Sequence, residues 1–118
     1  MVHNINREEL LQMIQNRDKP VVIVDVRSEG AYRKEHIQGA LSLTMEELEK
    51  YPMKRPLDKD AVIVTYDNDC QNQFSAKAAR KLESLGFRNV YDFQAGFDNY
   101  KQGALPTQGE ERANPEIF

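Results

Sequence analysis

The residue best suited to chemistry in this sequence is Cys70, the only cysteine among 118 residues. It lies in a polar loop between an apolar segment that ends near Thr65 and a helical pattern that starts near Ser75. Backbone N–H groups in such a strand-to-helix loop can converge on an anion, and the helix dipole adds about half a positive charge there. Both effects stabilise the nucleophilic thiolate. A lone cysteine is otherwise often a small buried hydrophobe, but its polar neighbours favour exposure.

The anion cradle is predicted from the backbone amides that follow the cysteine. They belong to Gln71, Asn72, Gln73, Phe74 and Ser75. Ser75 is also a candidate helix cap. Two carboxylates, Asp67 and Asp69, act against the cradle, because negative charge beside a thiol raises its pKa and repels anionic substrates.

The elements that must position this loop alternate along the chain. Residues 21–24 and 61–65 are β-branched apolar runs without alternation, which indicates parallel strands covered on both faces. Weaker strands are predicted at residues 40–43, 89–93 and 2–5. Capping-box signals start two helices, at Asn6 with Glu9 and at Thr44 with Glu47, the second ending before Pro52. The longest helix is predicted over residues 75–85, ending at Gly86. This order is typical of a doubly wound α/β domain.

Two charged residues, Asp25 and Arg27, close the 21–24 strand at the edge where ligands bind in open parallel sheets. They are predicted to support the site, either by reaching the substrate or as an ion pair that holds neighbouring loops. The ion pair is favoured, because charged groups near a core usually have a local partner. His36 is expected to form a hydrogen bond within its turn, and with only His3 besides, no metal site is predicted.

Composition excludes several classes of function. Nineteen acidic against 16 basic residues give a net charge of −3, so no nucleic-acid partner is expected. One cysteine cannot build a disulfide framework and suits a reducing, cytoplasmic location. No apolar run approaches the ~18 residues of a membrane span, and the polar N-terminus does not resemble a secretory signal. One domain is predicted over residues 1–106, followed by a polar tail, residues 107–118, that is expected to be disordered.

Several segments together resemble the motifs of a single rhodanese domain, over residues 3–106. They share its order and spacing: Asp25-Val26-Arg27, Glu35-His36-Ile37-Gln38-Gly39-Ala40 with Glu35 in place of a usual glycine, Ile63-Val64-Thr65-Tyr66, Ser75-Ala76-Lys77-Ala78-Ala79, Gly96-Phe97-Asp98-Asn99-Tyr100 and Gly103-Ala104-Leu105-Pro106. The resemblance implies a three-layer α/β fold in which helices flank a five-stranded parallel sheet. It also implies a sulfurtransferase without a cofactor, in which Cys70 takes a sulfane sulfur from thiosulfate or a persulfide donor, holds it as a persulfide and passes it to a thiophilic acceptor. The expected partners are a small sulfur donor or a persulfidated protein and a thiol acceptor, for a monomer or weak dimer.

The loop departs from the family pattern, which often reads Cys-x-x-Gly-x-Arg followed by Ser or Thr. The stretch after Cys70 is one residue shorter and lacks both the glycine and the arginine, which weakens binding of a dianion such as thiosulfate and favours a less charged donor. Counted instead from Tyr66, Asp67 takes the place of the cysteine. That alignment predicts a catalytically inactive module for protein interaction or regulation, with Cys70 a bystander. A third reading is a thiol redox sensor.

Overall fold

The computed structural model describes residues 2–16, 18–50, 57–69, 71 and 73–110. The strands are β1 (His3–Asn4), β2 (Val21–Asp25), β3 (His36–Ile37), β4 (Leu41–Ser42), β5 (Val62–Tyr66), β6 (Asn89–Phe93) and β7 (Thr107–Gln108). The helices are α1 (Arg7–Gln15), α2 (Glu29–Lys34), α3 (Met45–Glu49), α4 (Phe74–Ser84) and α5 (Gly96–Gln102).

A five-stranded parallel sheet, in the order β1-β6-β5-β2-β4, forms the centre of the fold and confirms the predicted α/β class. Strands β2 and β5 are in register from the pair Val21 and Val62 to the pair Asp25 and Tyr66. Their carboxyl ends therefore lie side by side, at one edge of the sheet. A separate antiparallel pair joins β3 to β7.

Both faces of the sheet are covered by helices, which explains why the central strands are apolar without alternation. One core cluster includes Ile23 and Val64 of the sheet with Leu10 of α1 and Phe97 and Tyr100 of α5. The other packs the alternate strand residues against α3 and α4; its members include Val24, Ile63, Leu48, Ala78, Ala79 and Leu82. The result is a three-layer arrangement in which α4 covers β5 and β6.

Local signals determined several helix ends. Asn6 and Glu9 form the predicted capping box, as do Thr44 and Glu47. Gly86 follows α4 with φ +99°, a left-handed conformation that suits glycine. Helix α3 ends at Glu49, and Pro52 lies outside the described residues. No helix of the described chain is long and apolar enough to cross a membrane.

Two expectations need correction. The helix after the cysteine loop starts at Phe74, so Ser75 is buried inside its first turn and is not the cap. The domain also continues beyond residue 106. Thr107–Gln108 pairs with His36–Ile37, because the edge of β3 offers partners to these backbone groups. The Glu110 amide then donates to the Arg33 carbonyl near the end of α2. Residues 111–118 of the predicted tail lie outside the described residues.

Candidate functional site

The loop that carries Cys70 connects the end of β5 at Tyr66 to the start of α4 at Phe74. It begins beside the end of β2, at the carboxyl edge of the sheet, where ligands bind in folds of this class. Cys70, the predicted nucleophile, and Asn72, a predicted cradle residue, lie outside the described residues. The described members of the loop are Asp67, Asn68, Asp69, Gln71 and Gln73.

A buried ion pair lies behind this loop. Arg27 donates from Nε to Asp25 Oδ1 at 3.0 Å and from Nη2 to Asp25 Oδ2 at 2.7 Å. The Tyr66 hydroxyl donates to the same Oδ2 at 2.7 Å and accepts from the Ile37 amide at 3.1 Å. Burial raises the pKa of Tyr66, and the adjacent Asp25 carboxylate raises it further, so this hydroxyl stays protonated.

The other donors of Arg27 connect neighbouring segments. Nη2 donates to the Glu35 carbonyl at 2.6 Å and Nη1 donates to Asn68 Oδ1 at 3.2 Å. The guanidinium carbon lies 4.4 Å from the centroid of the Phe97 ring. Asp25 and Arg27 thus have the geometry of an ion pair that holds neighbouring loops, and each of the three guanidinium nitrogens donates to a protein acceptor.

The start of the loop is attached to α5. The Phe97 amide donates to the Asp67 carbonyl at 2.8 Å, and the Asp98 amide donates to the Asn68 carbonyl at 3.0 Å. Gly96 makes this approach possible: its φ is +78°, and a Cβ atom there would lie 2.6 Å from both carbonyl oxygens. A side chain at this position would push the loop away.

Not every amide of the predicted cradle is available to a ligand. The Gln71 amide donates to Asp69 Oδ1 at 2.9 Å, so a carboxylate of the loop already occupies it. The first helical bond of α4 runs from the Lys77 amide to the Gln73 carbonyl. The Phe74 and Ser75 amides precede that bond and have no acceptor within the helix. Among the described residues, these two amides remain candidates for the predicted cradle.

An open depression of about 370 Å³ borders the loop. It is lined by Val26, Arg27, Ser28, Ala31, Thr44, Met45, Glu46, Asp67, Asn68 and Phe74. Phe74 forms part of its wall and is 43% exposed. A larger depression, of about 440 Å³, lies at the opposite edge, where β5 and β6 begin, away from the cysteine loop. The smaller one is therefore the candidate substrate site.

Asp67 is almost completely buried, although it belongs to the loop. The residue is 4% exposed, and its Oδ1 accepts from the Asn68 amide at 2.7 Å. Its Oδ2 has no hydrogen-bond partner among the residues that the structure describes. Burial raises the pKa of this carboxyl group, and the carboxylates of Asp25 and Asp69 add to the effect. Its place directly after a buried strand was the available signal.

A second buried carboxyl group, not anticipated from the sequence, lies under the first turn of α4. Asp92 of β6 is 3% exposed, and burial raises its pKa although the hydroxyls of Ser75 and Thr65 lower it. The Thr65 hydroxyl also donates to the Ser75 carbonyl at 2.9 Å. This polar cluster supports the segment that follows the cysteine loop. His36 lies elsewhere, with Nδ1 2.6 Å from the Tyr32 carbonyl.

Comparison with known proteins identifies the family. The sequence model of the rhodanese-like domain family matches residues 6–103 of this chain. The chain belongs to the rhodanese-like domain family. A thiosulfate sulfurtransferase GlpE from Coxiella burnetii is 34% identical to this rhodanese-like domain over 102 residues, which cover 86% of the chain and 89% of the relative. A GlpE from Shewanella oneidensis is 30% identical over 99 residues, 84% of the chain and 92% of the relative.

Solved structures share the architecture of this rhodanese-like domain. A crystal structure of a Bacillus halodurans protein has a TM-score of 0.80 at 26% identity and covers 97% of this chain and 86% of its own. A rhodanese-like domain from Anabaena, solved by NMR, has a TM-score of 0.79 at 24% identity, with 94% of this chain and 82% of its own covered. The relatives and the fold together support a sulfurtransferase family.

Proposed function

We propose that this rhodanese-like domain transfers a sulfane sulfur from thiosulfate or a persulfide donor to a thiophilic acceptor through a persulfide on Cys70. One observation carries the proposal. The only cysteine of the chain belongs to the loop between β5 and α4, at the carboxyl edge of the sheet and ahead of the longest helix. The GlpE relatives, which are thiosulfate sulfurtransferases, support the same class of reaction.

The reaction needs a thiolate and a place for negative charge. Cys70 attacks the outer sulfur of the donor, a sulfur–sulfur bond forms at Cys70, and sulfite or a thiol leaves. The persulfide is anionic, and we propose that the Phe74 and Ser75 amides, which have no acceptor within α4, stabilise it together with the positive end of the helix dipole. An acceptor thiol, or cyanide in an assay, then removes the outer sulfur. No cofactor takes part in this scheme.

A non-catalytic module for protein interaction or regulation is the second candidate. Asp67 follows directly after β5, the Gln71 amide is occupied by Asp69, and both carboxylates oppose an anion at Cys70. In that case the cysteine loop would dock a partner protein without transferring sulfur. A cytoplasmic location and a monomer or weak dimer remain predictions under either function.

Turnover separates the two candidates. Thiocyanate formation is measured with thiosulfate or glutathione persulfide as the donor and cyanide as the acceptor, for the parent protein, Cys70→Ser and Cys70→Ala. The enzyme predicts turnover by the parent and background rates for both variants, at unchanged thermal midpoints. Variants as active as the parent would contradict a role for Cys70. A parent protein that is inactive with both donors would support the interaction module.

A further inference from the structure

The Asp67 carboxyl group is a buried acid beside the candidate substrate site. It lines the 370 Å³ depression, and the residue is 96% buried. Oδ1 is satisfied by the Asn68 amide, while Oδ2 has no partner in the described part of the chain. A buried carboxylate oxygen without a donor is unfavourable, whereas a protonated carboxyl group can donate to a ligand.

The surroundings favour the protonated form. Burial raises the pKa of Asp67, and the nearby carboxylates of Asp25 on β2 and Asp69 in the loop act in the same direction. Glu46, at the start of α3, places a further carboxylate in the same depression. Arg27 lowers the pKa, but its short hydrogen bonds go to Asp25, the Glu35 carbonyl and Asn68. Among the described residues, Asp67 therefore has no ion-pair partner of its own.

We propose that Asp67 is the proton donor and acceptor for sulfur transfer between thiols, and that the preferred sulfur donor is accordingly a thiol persulfide rather than thiosulfate. This inference rests on the proposed function of Cys70. It assigns a catalytic role to a residue that the alternative alignment treats as the mark of an inactive domain.

The proton balances in both half-reactions. The Cys70 thiolate attacks the outer sulfur of R–S–S⁻, the bond between the two donor sulfurs breaks, and its electron pair leaves with the inner sulfur. That sulfur takes the proton of Asp67, which gives R–SH, the Cys70 persulfide anion and an Asp67 carboxylate. The acceptor thiol then gives its proton to Asp67 and attacks the outer sulfur. Cys70 thiolate and neutral Asp67 are restored, and no oxidant or reductant is consumed.

Only one class of donor gains from this acid. A thiol has a pKa of about 8.5, so its thiolate is a basic leaving group at neutral pH and leaves faster when an acid protonates it. Thiosulfate releases sulfite, a stable anion that needs no proton. The depression also suits a dianion poorly. Glu46 is acidic, and the only cation among the described lining residues is Arg27, whose nitrogens already donate to protein acceptors.

The test compares two reactions in the Asp67→Asn variant. General acid catalysis contributes about 10²–10⁴-fold, so transfer from glutathione persulfide to a thiol is expected to slow by about 100-fold. Transfer from thiosulfate to cyanide moves no proton and is expected not to share this loss. An unchanged thermal midpoint of Asp67→Asn shows separately that the variant is folded. Asp98→Asn, which neutralises an exposed carboxylate of α5 outside the depression, is the matched control and is expected to leave both rates unchanged.

A pH profile of the parent protein gives a measurement that does not depend on the variant. The rate of transfer from a persulfide to a thiol is expected to fall as pH rises and Asp67 ionises. The pH profile for transfer from thiosulfate to cyanide is expected to lack this fall. Equal losses of both rates in Asp67→Asn, no loss in either, or identical pH profiles would overturn the inference and leave sulfur transfer by Cys70 intact. A parent protein without turnover would instead refute the proposed function.

Discussion

Arg27 Nη1 donates to Asn68 Oδ1 across 3.2 Å, and this bond joins the buried ion pair of β2 to the loop that carries Cys70. The same guanidinium holds Asp25 through two nitrogens and the Glu35 carbonyl through one. The loop is thus attached to β2 by a side chain and to α5 by backbone hydrogen bonds. Such a support would hold the groups of the proposed reaction in position.

Replacing Arg27 should destabilise the fold strongly. Arg27→Met leaves the Asp25 carboxylate buried without its cation. We expect the unfolding free energy to fall by about 3–5 kcal/mol, which urea denaturation can measure. The double variant Asp25→Asn with Arg27→Met should lose less, because no unpaired charge remains. Arg88→Met breaks the exposed pair with Asp60 and should cost less than about 1 kcal/mol. Equal losses in the Arg27 and Arg88 variants would contradict the role of the buried pair.

Gly96 should tolerate no side chain. Gly96→Ala places a Cβ atom 2.6 Å from the Asp67 and Asn68 carbonyl oxygens and forces alanine into a left-handed conformation that costs about 1–2 kcal/mol before any steric strain. We expect a lower unfolding free energy and slower sulfur transfer, since the loop must move. Gly30→Ala in helix α2 is the matched control. No atom lies within 4 Å of the Cβ atom that alanine would add, so the unfolding free energy is expected to rise by up to about 1 kcal/mol. A Gly96→Ala protein that keeps both properties would argue against the close approach.

The pH dependence of stability should report on Asp92. Because burial raises its pKa in the folded state, the unfolded chain releases this proton first as pH rises above the ordinary value of 3.8. Ionisation of Asp92 therefore lowers the free energy of unfolding. This loss is absent at low pH and complete above the raised pKa. Asp92→Asn should lose less stability than the parent between about pH 4 and neutral pH in urea titrations. Asp98→Asn, at an exposed position of α5, should follow the parent. Parallel curves for parent and Asp92→Asn would contradict the shift.

The sequence predicts the elements whose signals are local. The β-branched run of residues 61–65 and the capping box of Asn6 and Glu9 correspond to β5 and the start of α1, because burial on both faces and cap hydrogen bonds leave direct marks on neighbouring residues. Thr107–Gln108 leaves no such mark, since a two-residue strand forms only because distant β3 offers its edge.

The same reason limits prediction of the site. The Gln71 amide was expected to bind an anion, but the side chain of Asp69, two residues earlier, already accepts a hydrogen bond from it. The burial of Asp67 depends on contacts with α5 and β2, which are distant in sequence. Residue types and spacing identify the loop, but its charge balance depends on the tertiary packing around it.

The central claim, a sulfur atom held by Cys70, is tested most directly by intact mass spectrometry. The protein is incubated with thiosulfate or with glutathione persulfide, freed of donor by gel filtration, and weighed beside Cys70→Ser. We predict that the parent gains one sulfur atom, loses it on treatment with cyanide, and that the variant gains none. An unchanged parent mass with both donors, or an equal gain on Cys70→Ser, would contradict the account.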